Sequence, residues 1–154
     1  MSKLIVYLYE NKVGELEQDD GGLLRFTYAA TWLAKDGAIP ISRMLPLTPR
    51  PFESKRTRPF FAGILPEEGP RTRIAEILGI SESNDFAMLE RIGGECAGAV
   101  SLLPEGVQPL QIENRLRTLG EKELAAIVNE LPLRPLLAGE EGLRLSLAGA
   151  QDKL

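Results

Sequence analysis

The sequence predicts an α+β domain, in which an antiparallel β-sheet formed as a meander at the N-terminus packs against several α-helices. Residues 4–28 contain three runs of strand length separated by turn residues. Beyond residue 60 the apolar spacing changes to that of helices. The content of 44% hydrophobic and 26% charged residues in 154 is typical of a globular domain, and no apolar run reaches the ~20 residues that span a bilayer. We therefore expect no membrane association.

The first three strands are predicted from alternation and from turn chemistry. Residues 4–9 are apolar on both alternating faces, which predicts a central or covered strand. Residues 10–12 turn the chain into a partner strand over 13–17. The Asp-Asp-Gly-Gly run at 19–22 tolerates positive φ and leads into a third strand over 23–28.

The next segments combine proline-rich and helical patterns. Residues 29–34 suggest a helical turn, and residues 39–47 suit an edge strand because their prolines cannot donate to an inner ladder. Residues 48–58, with further prolines, predict a long surface loop. Helices that pack on the sheet are then predicted over 60–65, stopped by Pro66, and over 74–78, ended by Gly79.

Two more helices and a strand are predicted in the second half. Residues 83–85 can cap a helix that runs to Gly93-Gly94, and residues 97–103 read as a buried strand. Residues 105–117 are irregular or weakly stranded, and residues 120–131 are predicted to form a strongly amphipathic helix. The stripe of this helix that we expect to be buried consists of Leu124, Ile127, Val128 and Leu131.

Domain boundaries follow from the prolines after this helix. Pro132 and Pro135 end it, so we predict a domain over residues 1–132 and a linker over 133–145. Residues 146–154 resemble the start of a Gly-rich nucleotide loop, since Gly149 between two alanines lets backbone N–H groups approach phosphate and Lys153 adds charge. The stretch lacks the spacing of the P-loop motif, and a flexible tail is the alternative.

The composition excludes several classes of chemistry. The chain has no histidine and a single cysteine, Cys96, which rules out histidine-based triads and zinc thiolate sites. The lone cysteine, expected to pack as a small hydrophobe, and the absence of a signal-peptide pattern suggest the cytoplasm. A net charge of −4 argues against a general polyanion binder.

Several individual residues allow two interpretations. A local basic stretch could contact phosphate or nucleic acid, or be a solvated loop beside Glu67 and Glu68; it consists of Arg50, Lys55, Arg56, Arg58, Arg71 and Arg73. Phe60 and Phe61 are expected in the core, whereas Trp32 suits the core or an interface equally. The carboxylates of Glu67, Glu68, Glu90 and Glu95 are expected on solvated faces rather than paired for acid–base catalysis.

Motifs in a fixed order resemble the N-terminal region of HipA-family serine/threonine kinases over essentially the whole chain. They are the strand with the Val13-Gly14 turn, Phe26-Thr27-Tyr28 with Trp32-Leu33, Leu45-Pro46-Leu47, residues 60–71, residues 85–93, residues 96–100, and the final Ser-Leu-Ala-Gly-Ala-Gln-Asp-Lys run at 146–153.

The resemblance implies a part of a toxin kinase from a bacterial toxin–antitoxin pair, linked to growth arrest and persistence. It implies a HipB-like helix-turn-helix antitoxin or the remaining kinase core as partner, with DNA contacted only through the antitoxin. Ser146 becomes the candidate phosphoacceptor. The residues that match the family's ATP-covering loop are Leu147, Ala148, Gly149, Ala150, Gln151, Asp152 and Lys153.

The resemblance also implies that the catalytic residues of the family lie beyond Leu154. We therefore expect this chain alone to hold no catalytic residue, no metal and no cofactor, whereas the full-length kinase would use ATP and Mg. The chain is then the non-catalytic N-terminal part of such a kinase. The alternative is a stand-alone small subunit that binds and inhibits a separately encoded kinase core, and ending inside the loop speaks against it. Single-strand nucleic-acid binding ranks lower, because the net charge is negative.

Overall fold

The computed structural model describes residues 2–95, 99–109 and 119–130. In this part of the chain a four-stranded antiparallel sheet has the order β3-β2-β1-β4. The strands are β1 (Ser2–Leu8), β2 (Asn11–Gln18), β3 (Leu24–Tyr28) and β4 (Val100–Pro104). The helices are α1 (Ala30–Leu33), α2 (Ser54–Ala62), α3 (Glu68–Leu78), α4 (Asp85–Ile92), which continues into a 3₁₀ turn at Gly93–Glu95, and α5 (Glu121–Glu130). The predicted α+β class is confirmed.

Strand β1 occupies the inside of the sheet, as its two apolar faces predict. It pairs with β2 on one side and with β4 on the other, where Ile5 lies opposite Leu103. One face contributes Leu4 and Val6 to the main core, and the other contributes Ile5 and Tyr7, which cluster with Leu103. Residues 4–8 are all buried, so both faces of this strand are covered and both carry apolar side chains.

A glycine allows β2 and β3 to pack closely. A Cβ atom at Gly14 would lie 2.5 Å from the carbonyl oxygen of Thr27 and 2.6 Å from the Phe26 ring. No real Cβ approaches a backbone oxygen so closely, so only glycine fits here.

The main core lies between the sheet and helices α2 to α4. Phe26 is its centre, with ring contacts to Tyr28 at 4.8 Å and to Phe61 at 5.5 Å between centroids. Phe61, Ile74 and Leu89 place one fully buried side chain from each of the three helices into it. The expected core position of Phe61 is confirmed, and Phe60 packs against it half-buried.

Trp32, whose role the sequence left open, belongs to the core. Its ring is buried with the main cluster, and its indole N–H donates to the carbonyl oxygen of Ile39 at 3.1 Å. Lys35 lies over the ring, with its Nζ atom 5.1 Å from the ring centroid.

Two predictions between residues 39 and 58 are wrong. Residues 39–47 do not add an edge strand, and they contain only an isolated bridge between Ser42 and Leu45. Their backbone bonds to core side chains instead of to a strand. The predicted loop over 48–58 ends early, because α2 begins at Ser54 despite Pro59 in its interior. Pro59 removes one backbone bond from α2, but the helix buries Thr57 and Phe61 in the core, and the Thr57 hydroxyl donates to the Phe52 carbonyl at 2.9 Å.

The predicted caps are confirmed at both ends of the α3–α4 connection. Gly79 ends α3 in the left-handed region, with φ 64° and ψ 34°. The Asn84 side chain caps α4 by accepting a hydrogen bond from the Ala87 amide at 3.0 Å. These two residues fix the turn that separates the helices.

Helix α5 forms where the sequence predicts it, but the expected burial of its apolar stripe is wrong. Leu124 and Val128 are 50% and 54% exposed, and Ile127 is half-buried. Leu131, the last member of the stripe, lies outside the described residues. Apolar spacing identifies a helix face but does not show which element packs on it.

No helix in the described ranges is long and apolar enough to cross a membrane.

Candidate functional site

The most unusual charged group among the described residues is the carboxylate of Asp85, at the first position of α4. Asp85 is only 7% exposed. Its Oδ2 atom accepts from Nε of Arg58 at 2.6 Å, and its Oδ1 atom accepts from Nη2 of Arg71 at 2.6 Å. Each carboxylate oxygen is therefore held by a different arginine. A buried charge requires such pairing, because its desolvation would otherwise be costly.

The arginine–aspartate cluster, defined as Arg58, Arg71 and Asp85, joins three helices. Arg58 comes from α2, Arg71 from α3 and Asp85 from α4. Arg71 also donates through Nε and Nη2 to the carbonyl oxygen of Glu82, at 3.0 and 2.8 Å, and so holds the α3–α4 turn. The carboxylate lies at a helix N-terminus, where the helix dipole favours negative charge.

A polar cleft opens beside this cluster, between the β2–β3 turn and the α3–α4 turn. Its volume is about 430 Å³. The Arg58 side chain lines it and is 61% exposed, so this guanidinium contacts both the buried carboxylate and water. The lining residues are Gln18, Asp19, Asp20, Gly22, Leu24, Arg58, Ser81, Ser83, Asn84 and Asp85.

Two carboxylates that line the cleft, Asp19 and Asp85, are held in structural hydrogen bonds. Asp19 uses its Oδ1 atom to accept from the amides of Gly21 and Leu23, both at 2.9 Å, so it orders its own turn. Each oxygen of Asp85 already accepts from an arginine. Across the described part of the chain no group of three or more His, Cys, Asp or Glu side chains is placed to hold a metal ion.

The structure distributes the predicted basic stretch among different roles. Arg58 and Arg71 pair with Asp85 and not with Glu67 or Glu68, the acidic neighbours that the sequence suggested. Asp85 was missed as a partner because its position after Ser83-Asn84 indicated only a helix cap. No spacing rule connects it to arginines on two other helices. Arg50 and Lys55 are exposed.

The predicted carboxylate positions are confirmed where the structure describes them. Glu67, Glu68 and Glu90 are exposed, whereas the side chain of Glu95 and all of Cys96 lie outside the described residues. Ser146 and the loop over 147–153 also lie outside them, as do the linker over 133–145 and the end of the predicted domain at residue 132. The assignments to these residues stay predictions.

A second candidate surface is the anchored loop, defined as residues 38–47. The buried Tyr28 hydroxyl donates to the carbonyl oxygen of Leu45 at 2.5 Å and accepts from the amide of Ile41 at 3.0 Å. Burial raises the pKa of Tyr28, and the hydrogen bond from Ile41 opposes that change. Leu45 is itself fully buried. One core hydroxyl therefore holds two points of the loop.

The tip of the anchored loop is a tight turn. The Leu45 amide donates to the Ser42 carbonyl at 3.0 Å, which leaves Arg43 and Met44 at the two central positions. Nη2 of Arg56 donates to the Met44 carbonyl at 2.6 Å, and the Arg56 guanidinium lies 5.1 Å from the centroid of the Phe52 ring. The loop is thus held to the helical layer as well as to the sheet.

Comparison with known protein families gives a match over most of the described domain. Residues 4–103 match the family model described as HipA N-terminal domain. The matched range runs from Leu4 in β1 to Leu103 in β4, and so contains nearly all of the four-stranded sheet and the whole arginine–aspartate cluster.

Three curated relatives have similar sequences. A putative kinase of Sinorhizobium fredii is 47% identical over 146 residues, which cover 92% of this chain and 35% of the relative. The serine/threonine-protein kinase toxin HipA of Shewanella oneidensis is 30% identical over 152 residues, which cover 98% of this chain and 34% of that protein. The chain thus spans about a third of the length of both. An uncharacterized protein of Haemophilus influenzae is 32% identical over 100 residues, covering 65% of this chain and 90% of that protein.

Two solved structures share the fold. The chain superposes with a TM-score of 0.69 and 28% identity on a chain of the HipA, HipB and operator DNA complex of Shewanella oneidensis, covering 95% of this chain and 33% of that one. An N-terminal domain of HipA toxin gives a TM-score of 0.52 at 30% identity, and the match covers 70% of this chain and 96% of that domain.

Proposed function

This chain belongs to the HipA N-terminal domain family, and on that premise we propose that it is the non-catalytic N-terminal part of a HipA-like toxin serine/threonine kinase. The observation that carries the proposal is the family match over residues 4–103, which coincides with the sheet and the helices packed on it. The two long kinase relatives support it, because the matched region makes up only about a third of each.

In this proposal the domain acts as a scaffold. It supports the nucleotide-binding lobe of the kinase, and it contacts a HipB-like antitoxin, through which DNA is reached indirectly. The structural neighbour from a complex of HipA, HipB and operator DNA supports this partner class. The negative net charge of −4 also favours contact with a protein over direct contact with DNA. A protein with these partners would work in the cytoplasm.

The family resemblance of residues 146–153 extends the proposal to nucleotide binding. Ser146 would be the phosphoacceptor, and residues 147–153 would cover ATP with its Mg in the full-length kinase. By the same resemblance, the ligands of the metal would come from the rest of the kinase. Ser146→Ala in the full-length kinase should abolish self-phosphorylation while leaving the fold intact, and undiminished label would assign the site to another residue.

One observation favours a second function, that of a separate subunit. The Haemophilus relative is matched over 90% of its length, so it is a protein of about the size of this domain. A domain that exists alone could bind a separately encoded kinase core and inhibit it. The two functions differ in how the chain affects a kinase that already has its own N-terminal domain.

A chimaera tests both proposals. The matching 146 residues of the Sinorhizobium relative are replaced by this chain, and self-phosphorylation is compared with that of the unaltered relative and of a deletion that lacks the region. The scaffold proposal expects the chimaera to retain activity and the deletion to lose it. A soluble chimaera with no more activity than the deletion would contradict it.

The purified chain provides the complementary measurement. Alone it should neither hydrolyse ATP nor transfer phosphate. Added to the unaltered relative, it should leave the kinase rate unchanged if it is a scaffold, because the site for the domain is already filled. A dose-dependent inhibition would favour the separate-subunit function.

A further inference from the structure

We infer that the anchored loop, together with Arg56, is a preformed docking surface for a protein segment that combines apolar side chains with carboxylates. The inference deepens the proposed function, and rests on it, because it names the surface by which the domain contacts another protein. The family match does not assign a role to any residue of this loop.

The loop exposes large apolar side chains although it is firmly held. Met44 is 63% exposed and Ile39 is 55% exposed, and Leu47 is also exposed. These three residues lie within one segment of nine positions. Ordinary surfaces carry such side chains singly, whereas a cluster of them indicates an interaction site.

The hydrogen bonds of the loop place these side chains on one region. Ile41 and Leu45 are close in space because their backbones share the Tyr28 hydroxyl, and Ile39 and Leu47 lie two positions beyond them along the chain. Met44 lies at the tip of the turn between them. The backbone at Ile39 is fixed in addition by the indole N–H of Trp32. The backbone that carries Ile39, Met44 and Leu47 is therefore fixed at several points, and these three exposed side chains are called the apolar strip.

The charge around the strip identifies the chemistry of the partner. Residues 37–52 contain Arg43 and Arg50 and no acidic residue. Arg56 is directed at the tip through its bond to the Met44 carbonyl. Glu53, the next acidic residue along the chain, pairs with Arg25 at 3.5 Å. Within the described ranges neither Arg43 nor Arg50 forms an ion pair, so an apolar strip beside these arginines is complementary to a segment with apolar and acidic side chains.

A protein segment fits this surface better than nucleic acid. The exposed side chains of the strip are aliphatic or a thioether, and they offer no aromatic ring on which a base could stack. Methionine adapts to different apolar partners, which suits a docking surface. Because the loop is ordered by the core before binding, association loses little conformational freedom.

Photo-crosslinking in native cells tests the inference. p-Benzoyl-phenylalanine replaces Met44 in the intact protein, and a matched protein carries it in place of Ile77, an exposed position on α3. Mass spectrometry then identifies the captured segment. We expect a segment of the kinase or antitoxin with carboxylates and apolar side chains at position 44. Capture of nucleic acid, capture of a segment without carboxylates, or equal capture at both positions would overturn the inference.

A charge variant makes the test quantitative. In the protein with the probe at position 44, Arg43→Glu should lower the yield of the crosslink by about tenfold, and Arg43→Lys should retain it. If the crosslink yield does not fall in Arg43→Glu, the inference that the arginines attract carboxylates of the partner is refuted. If the unaltered chain copurifies with neither kinase nor antitoxin, the proposed function fails. If a partner copurifies but is not captured at position 44, only the docking surface is wrong.

Discussion

Replacing Tyr28 by phenylalanine should separate the anchored loop from the core without changing the packing. The ring of Tyr28 makes an edge-to-face contact with Phe26 at 4.8 Å, and phenylalanine retains it. Only the hydroxyl is lost, and with it the bonds to the Leu45 carbonyl and the Ile41 amide. The substitution therefore leaves two backbone groups without their partner.

The expected loss of unfolding free energy follows from the burial of the Leu45 carbonyl and the Ile41 amide. Leu45 is fully buried, so its carbonyl oxygen cannot recover a bond from water, and an unsatisfied buried group costs about 1–3 kcal/mol. Ile41 is half-buried, and its amide can be hydrated at a smaller cost. We expect Tyr28→Phe to lower the free energy of unfolding by about 2 kcal/mol, which corresponds to roughly 4–8 °C in Tm for a chain of this size.

Urea unfolding followed by tryptophan fluorescence is the assay. Trp32 is the only tryptophan and is bonded to the loop at Ile39, so its emission reports on this region. Tyr9→Phe is the control, because Tyr9 is an exposed tyrosine, and it should change the free energy by less than about 0.5 kcal/mol. A loss for Tyr28→Phe as small as that of the control would refute the idea that this hydroxyl anchors the loop.

Three further predictions concern the sheet, the charged cluster and pH. Gly14→Ala should destabilise the domain by about 3 kcal/mol in urea unfolding, since its Cβ would lie 2.5 Å from the Thr27 carbonyl oxygen; a change below about 1 kcal/mol would contradict the close strand packing. Asp85→Asn should cost about 2–3 kcal/mol by the same assay, because the largely buried Arg71 loses its carboxylate, and an unchanged midpoint would show that the cluster is dispensable. Burial raises the pKa of Tyr28, so the unfolded chain loses the hydroxyl proton at a lower pH than the folded protein does. The stability that the protonated hydroxyl contributes is therefore complete below about pH 10, the pKa of an unfolded tyrosine, and is lost as pH rises through the higher folded pKa. The difference in urea midpoint between the unaltered protein and Tyr28→Phe should therefore be smaller at strongly alkaline pH than at neutral pH. An equal difference at both pH values would contradict this.

Local patterns in the sequence predict most of the fold. The two apolar faces of residues 4–9 identify the inner strand. Gly79 marks the C-terminus of α3 and Asn84 marks the N-terminus of α4, as the structure has them. These signals are local, since alternation, capping and left-handed glycine depend on a few neighbouring residues. The same reasoning places Phe61 in the core.

The errors occur where tertiary contacts override local preference. Prolines at 40 and 46 suggest an edge strand, but a hydroxyl on β3 determines the path of that segment. Pro59 argues against a helix, yet α2 continues through it and buries Thr57 and Phe61 in the core. The arginine–aspartate cluster depends on the positions of three helices, which no residue pattern contains. The nucleotide loop over 146–153 stays a prediction from family resemblance.

The position of β4 has a consequence for how the protein folds during synthesis. The inner strand β1 is translated before α1 to α4, but its partner on one side, Val100–Pro104, is translated only after them. Until then the backbone of β1 has an unpaired edge, and Ile5 and Tyr7 lack the Leu103 side chain that helps to cover them. Such an edge invites pairing with another nascent chain. The ribosome-bound intermediate, rather than the finished domain, is thus the state most exposed to aggregation, and it is the state that chaperones would have to protect.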